Sequence, residues 1–337
     1  MKRVVSLLIS LGIILLIYQQ ADLSQLARIL TYSSPTWMVL SLGMIVPLNI
    51  FTALRLQLLT PPKAAMTHWE ANKLILAAST LNMVLPSKMG DMAKALFMNQ
   101  RGKMSLSLAF SCVVFEKGCD VLSLLLWCLF ALLLYPEKAS LFRGVVLNES
   151  TVSSVTSLTT YWMITAGIAA MFFLGLLCLA SPAVARTLLR CGGRVAPEKL
   201  KNRLEQLACS WAEMHNYFWQ HSARLTIVVL LSLFLWFLHL LQIWLFVVAL
   251  HQQVPFSVVY ALTPLAILAG LLPFTMAGVG TRDAALLFFY SPFMPEAAAL
   301  ALGILCTARY LLPAIGGIPF MTDYLYKIRD SSSKTKV

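Results

Sequence analysis

"LPSKMGDMAKALF", residues 85–97, decides how this chain is read. The fourteen residues before it, from Ala71, form an apolar helical stretch too short to cross a bilayer comfortably, since a hydrocarbon core of about 30 Å needs ~20 residues. Then Pro86, Lys88, Gly90, Asp91 and Lys94 interrupt it, and the chain turns apolar again. Proline ends a helix and glycine permits a turn. The stretch therefore reads as a break between two half-helices, Ala71–Gln100 in all.

The surrounding composition sets the solvent. Of 337 residues, 59% are hydrophobic and only 12% charged, with a mean hydropathy of +0.78. A soluble domain of this size needs more polar surface. The apolar runs are continuous rather than alternating, which excludes barrel strands and leaves helices. Full spans are expected at about Val4–Ala21, Trp37–Leu54, Ser105–Tyr135, Leu158–Ala180 and Leu225–Leu250, with a last one from Glu296, kinked at Pro313, to Tyr326. The basic N-terminus resembles a signal peptide, but no small-x-small site follows Tyr18, so a retained first span is expected. Tyr161 and Trp162 read as an interfacial anchor. Residues 1–327 form one membrane domain, followed by a basic tail at 328–337.

A second interrupted segment runs over 254–290. Pro273 ends its first half-helix, and Gly278, Gly280, Thr281, Arg282 and Asp283 open its second. Basic residues orient both segments. With a cytoplasmic N-terminus and each broken segment returning to its own side, 17 Lys and Arg lie inside and 3 outside. Lys73, Lys88, Lys94, Lys117, Arg282 and Arg309 remain at membrane depth. A full crossing of the first segment would destroy that asymmetry. The fold expected is an all-α polytopic membrane protein, with about six full transmembrane helices plus two inverted re-entrant helical hairpins and both termini cytoplasmic. Two kinked helices with snorkelling lysines are the plainer alternative.

Broken hairpins of opposite orientation mark inverted-repeat transporters. Each second half-helix exposes amide donors and a positive dipole end, a ready site for an anion. Asp91 and Thr281 stand where N-caps belong. Lys88, Lys94 and Arg282 add positive charge, so the expected headgroup site is Lys88, Gly90, Asp91, Lys94, Gly278, Gly280, Thr281 and Arg282. Glu116, Lys117 and Asp120 lie near mid-span, Glu116 about 16 Å along its helix. Each unpaired charge there costs roughly 2.5–3.5 kcal/mol on the insertion scale. Pairing is required, and Arg309 or Arg282 is the expected partner of Glu116 or Asp120, with Asp283 in the same network. Such a network is either structural or part of a headgroup or proton pathway.

Other chemistry finds little support. The seven cysteines form no CxxC, and no GxSxG, HExxH or P-loop occurs. The five histidines are scattered and read as packing residues. No catalytic residue, metal site, cofactor or nucleic-acid partner is expected. The basic stretch 181–224 contains a repeat of Leu200, Leu204, Leu207, Trp211, Met214 and Phe218 at spacings of four and three. That is an amphipathic helix, either a structural elbow or a gate.

These motifs together resemble the flippase-like membrane family related to the lysylphosphatidylglycerol synthase transmembrane region. Pro86, Gly90, Asp91 and Lys94 match its Pro-x-x-x-Gly-acidic motif. Glu116 and Asp120 match the next span's acidic pair, with Lys117 in place of arginine. Pro273, Gly278, Gly280, Arg282 and Asp283 match a late motif, and Arg309 a final-span arginine. The resemblance implies translocation of a lipid with a large polar headgroup, aminoacylated or polyprenyl-linked, across a bacterial-type inner membrane. The sequence departs from the bifunctional members in ending at Val337 with a short basic tail, so their soluble aminoacyl-transferase domain is expected to be absent. Lys117 lacks the fork of arginine, which puts bidentate grip there in doubt. A membrane-embedded glycosyl- or acyl-transferase with Asp91 or Glu116 as base is the alternative. A non-transporting accessory subunit, as a homo-oligomer or with an envelope-biosynthesis partner, is a third.

Overall fold

The computed structural model describes residues 22–85, 90–101, 104–134, 154–184, 186–187, 198–271 and 279–334. The expected first span, the helix-breaking Pro86 and Pro273, and the site residues Lys88 and Gly278 lie outside these. The described residues are helical, with no strand among them. Among them, five helical segments are long and apolar enough to cross a membrane: Pro35–Leu59, Leu106–Leu134, Leu158–Ala180, Ser222–Ala249 and Glu296–Thr322.

Local chemistry sets the boundaries. Helix α1 (Leu23–Thr31) starts where the Asp22 carboxylate accepts from the amides of Ser24 and Gln25. It falls in a stretch expected to be loop. Helix α2 (Pro35–Gly43) opens on a proline at its first turn, and α3 (Ile45–Leu59) continues the same apolar segment. Pro47 has no amide to give the Gly43 carbonyl, which accounts for the break between them. Helix α4 (His68–Val84) begins with a Thr67–Glu70 capping box. Helix α5 (Gly90–Gln100) follows, then α6 (Leu106–Leu134) and α7 (Ser154–Ala180). The amphipathic α8 (Glu198–Gln220) leads into α9 (Ser222–Ala249). Helices α10 (Phe256–Gly270) and α11 (Thr281–Tyr290) form the second broken segment, and α12 (Glu296–Lys334) closes the chain.

Both interrupted segments are pairs of short packed helices. In the first, Gly90 abuts Ala78 and Asn82, while Arg101 pairs with Glu70 at 2.9 Å. Helices α4 and α5 are therefore antiparallel, and the far ends of the pair lie together. Seventeen and 11 residues make helices of about 25 and 16 Å. For α10 and α11, with 15 and 10 residues, the figures are about 22 and 15 Å. All four are shorter than a bilayer core of about 30 Å.

Two apolar cores divide the bundle. One holds α3, α4, α5, α8 and the first half of α6, up to Cys119. The other holds α10, α11, the start of α12 and the second half of α6, from Leu124. Helix α9 likewise gives Val228 to the first and Leu240–Leu250 residues to the second. Each core contains one short pair, and between them α6, α9 and α12 cross a polar waist.

Two expectations are corrected here, and a third holds. Pro313 does not break its helix, which runs through it and Pro319 to Lys334. Helix α4 braces that region: Thr80 Oγ1 donates to the Ala314 carbonyl at 2.6 Å, and Gly317 lies against the Leu76 backbone. Tyr161 is not at an interface but fully buried, its hydroxyl donating to the Leu132 carbonyl. Trp162 beside it is exposed. Helix α8 does pack as an amphipathic helix, with Trp211, Met214 and Phe218 buried and the Phe218 ring stacked on Phe115 at 5.3 Å.

Candidate functional site

The polar waist is built by α3, α5, α6, α9 and α12. Glu116, Lys117 and Asp120 share one face of α6 through their three- and four-residue spacing. Arg55 comes from α3 and Asp91 and Lys94 from the first turns of α5. Six unpaired charges at this depth would cost about 15–20 kcal/mol on the insertion scale, so their arrangement is strongly constrained.

They close into a ring of alternating sign. Arg55 donates to Glu116 at 2.9 Å and to Asp120 at 2.5 Å. Lys94 takes the other Glu116 oxygen at 2.8 Å and reaches Asp91 at 3.5 Å. Lys117 bridges Asp91 at 2.9 Å and Asp120 at 3.3 Å. Three cations meet three anions, so the ring is neutral. Ser232 accepts from Arg55 at 3.1 Å, and the Trp236 indole donates to Asp120 at 3.2 Å, tying α9 to the ring. Arg55, Lys94 and Glu116 are almost fully buried; Lys117 is 38% exposed.

The ring forms one wall of a cavity of about 200 Å³. Arg309, Tyr310 and Pro313 of α12 and Trp236, His239 and Gln242 of α9 also line it. Arg309 is 4% exposed. Its guanidinium donates to the Gln242 side chain at 3.2 Å, the His239 carbonyl at 3.4 Å and the Tyr310 hydroxyl at 2.7 Å. Its Nε has no hydrogen-bond partner among the described residues. Among the described residues, Arg309 has no carboxylate partner. Among the described residues, the cavity thus contains a neutral ring and one cation without a carboxylate partner, Arg309.

This arrangement changes the expected partners. Neither Arg309 nor Arg282 pairs with Glu116 or Asp120; Arg55 and the two lysines do. Arg282 instead donates to its neighbour Asp283 at 2.6 Å, to Thr307 at 2.7 Å and to the Gly303 and Cys306 carbonyls. The pair is a staple between α11 and α12, and neither residue lines the cavity. Gly90, Gly280 and Thr281 do not line it either. Asp91 and Thr281 are not N-caps. Asp91 sits one residue inside α5 with its carboxylate on the lysines, and the cap of α11 is Gly280, at φ 98°. The expected amide donors are also engaged: the Asp91 N–H by Asn82 at 3.2 Å and the Gly280 N–H by Asp283 at 3.1 Å. Of the expected site, Asp91, Lys94, Glu116, Lys117, Asp120, Arg309 and Pro313 come together around the cavity.

Arg55 is hidden in the sequence because a charge at the edge of an apolar run reads as the end of a span. Leu56, Leu58 and Leu59 beyond it were the missed signal, since a helix that continues apolar past an arginine carries that arginine inward. Among the described residues no cluster of His, Cys, Asp and Glu could hold a metal ion.

Residues 3–317 match the model of the lysylphosphatidylglycerol synthase TM region. The chain belongs to this family. It is also similar to the UPF0104 membrane protein of Methanocaldococcus jannaschii, with 22% identity over 327 residues, 94% of this chain and 93% of that protein. In this family member the fork missing at Lys117 is supplied from α3. Arg55 grips Glu116 and Asp120 with two different nitrogens, and Lys117 acts as a point charge between two aspartates.

Proposed function

We propose that this protein moves a lipid with an anionic headgroup between the leaflets of a cytoplasmic membrane. The carrying observation is Arg309, a buried cation without a carboxylate partner among the described residues, facing a polar cavity inside an apolar bundle. Intramembrane charge of this kind marks a substrate pathway, and a phosphate or carboxylate supplies the missing counter-charge. The neutral ring in the same lining contributes polarity without adding net field, so selectivity for an anion rests on Arg309.

The geometry of the short helix pairs supports a transport reading. Their lengths suit hairpins that dip into the bilayer and return, and the Glu70–Arg101 pair puts both outer ends of the first hairpin together. Opposed hairpins around a mid-depth site are the architecture of alternating access. The ring then exchanges partners as the hairpins move. With Arg55 inside the bundle, sixteen of the seventeen inward charges still support cytoplasmic termini. A cavity of about 200 Å³ is below the 300–1,000 Å³ of drug-sized sites. It fits the anionic group of a headgroup, and it must widen to pass the rest.

A transferase finds less support. Both oxygens of Glu116 are held by cations, and so are both oxygens of Asp91. Neither carboxylate is poised as a general base.

The test is translocation of fluorescent phosphatidylglycerol in proteoliposomes, with lipids retained through gentle purification identified by mass spectrometry. Faster translocation than in protein-free vesicles, with anionic lipid retained, is the expected result. Rates equal to protein-free vesicles overturn the proposal.

A further inference from the structure

A second cavity, of about 170 Å³, lies on the other side of α6 and is almost entirely apolar. It is a groove between α6, α7 and α9, with the end of α8 at one edge. The two cavities share walls. Glu116, Lys117 and Asp120 face the polar one, while Cys119, Ser123 and Leu126 of the same helix face the groove. On α9, Trp236, His239 and Gln242 line the first, and Val229 and Ser232 the second. Arg55 and Ser232, joined at 3.1 Å, stand one in each lining. The seam between α6 and α9 is closed by Trp236 on Asp120 and by the Trp127 indole on the Leu233 carbonyl at 2.9 Å, and Arg55 of α3 bridges it by donating to both Asp120 and Ser232.

From this continuity we infer that the groove holds one hydrocarbon chain of the lipid whose headgroup enters the polar cavity. A headgroup needs the charged cavity and a chain needs an apolar slot, and an amphiphile needs the two to adjoin. Here they adjoin across a seam a few hydrogen bonds thick. Leu126, Leu176 and Val229 open the groove to the apolar surface of the bundle, each at least 38% exposed. Beside it, a Cβ at Gly118 or Gly175 would press into Leu179 or Leu122, two of its lining residues, so α6 and α7 approach closely there. The inference rests on the lipid reading above.

Vesicles containing phosphatidylglycerol with a diazirine in one acyl chain test it, with a diacylglycerol bearing the same chain as comparison. After illumination, adducts are mapped by peptide mass spectrometry on the full chain and on Val229→Trp, an exposed position that tolerates a larger ring. Adducts concentrated on groove residues, falling at least fivefold in Val229→Trp while those elsewhere persist, are expected. An even spread over exposed apolar positions such as Met163 and Phe173, or no change in Val229→Trp, overturns it. Stronger groove labelling by phosphatidylglycerol than by diacylglycerol supports the groove and the headgroup reading together. Concentrated but equal labelling by both lipids supports the groove and refutes the headgroup reading.

Discussion

Glu116 receives Arg55 on one oxygen and Lys94 on the other, so its charge offsets two buried cations at once. Removing one partner of a buried pair typically costs about 3–5 kcal/mol, because the charge left behind is uncompensated. Glu116→Gln is expected to lower the thermal unfolding midpoint in detergent markedly, and Lys94→Met in the same chain to recover part of the loss. A midpoint unchanged by Glu116→Gln would show that the ring is not held together as described. Arg55→Lys should also destabilise, since one ammonium cannot reproduce the guanidinium's separate contacts with Glu116 and Asp120. At this scale the sequence was only half legible. Glu116, Lys117, Asp120 and Arg309 stood out as charges inside apolar runs. Their pairings did not, because Arg55 lies 61 residues from Glu116 along the chain and only tertiary packing joins them.

Helices were more legible than their contacts. Prolines and glycines placed α4, α5, α10 and α11 within a few residues, because these signals are local, although the expected caps Asp91 and Thr281 are not N-caps. Helix α1 was missed because it is short and buries only Leu26. Pro313 was misread because a proline's local penalty was weighed without the bracing that α4 gives α12. That bracing makes a paired prediction. A Cβ at Gly317 would overlap the Leu76 carbonyl backbone, whereas one at Gly316 meets nothing within 4 Å. Gly317→Ala is expected to cost about 1–3 kcal/mol, the usual range for overpacking. Gly316→Ala should be neutral or gain up to ~1 kcal/mol of helix propensity. Equal midpoints for both variants would contradict the close approach of α4 and α12. In α8, Phe218→Ala removes a fully buried ring stacked on Phe115, and a loss of about 3–5 kcal/mol is expected.

The whole molecule is two apolar cores joined through a polar waist, with a short helix pair in each core. The pair-wise likeness of residues 71–100 and 254–290 foreshadowed that division. It did not show that only the first pair sends charges into the cavity, since Arg282 and Asp283 satisfy each other at the α11–α12 contact. If the first pair is a hairpin, positions before α4 and after α5 share one side of the membrane. Lys63→Cys and Gln100→Cys, each in a chain with Cys209 replaced by serine, should react with an impermeant maleimide from the same side. Labelling from opposite sides would mean a full crossing.

The account's central claim is that Arg309 supplies the unmatched positive charge that an anionic headgroup meets inside the bundle. Translocation of phosphatidylglycerol and of a neutral glycolipid, measured in proteoliposomes for the natural chain and for Arg309→Gln, tests it most directly. The account predicts that phosphatidylglycerol translocation falls at least tenfold in Arg309→Gln while the unfolding midpoint changes little. Phosphatidylglycerol translocation by Arg309→Gln at the natural rate would contradict it.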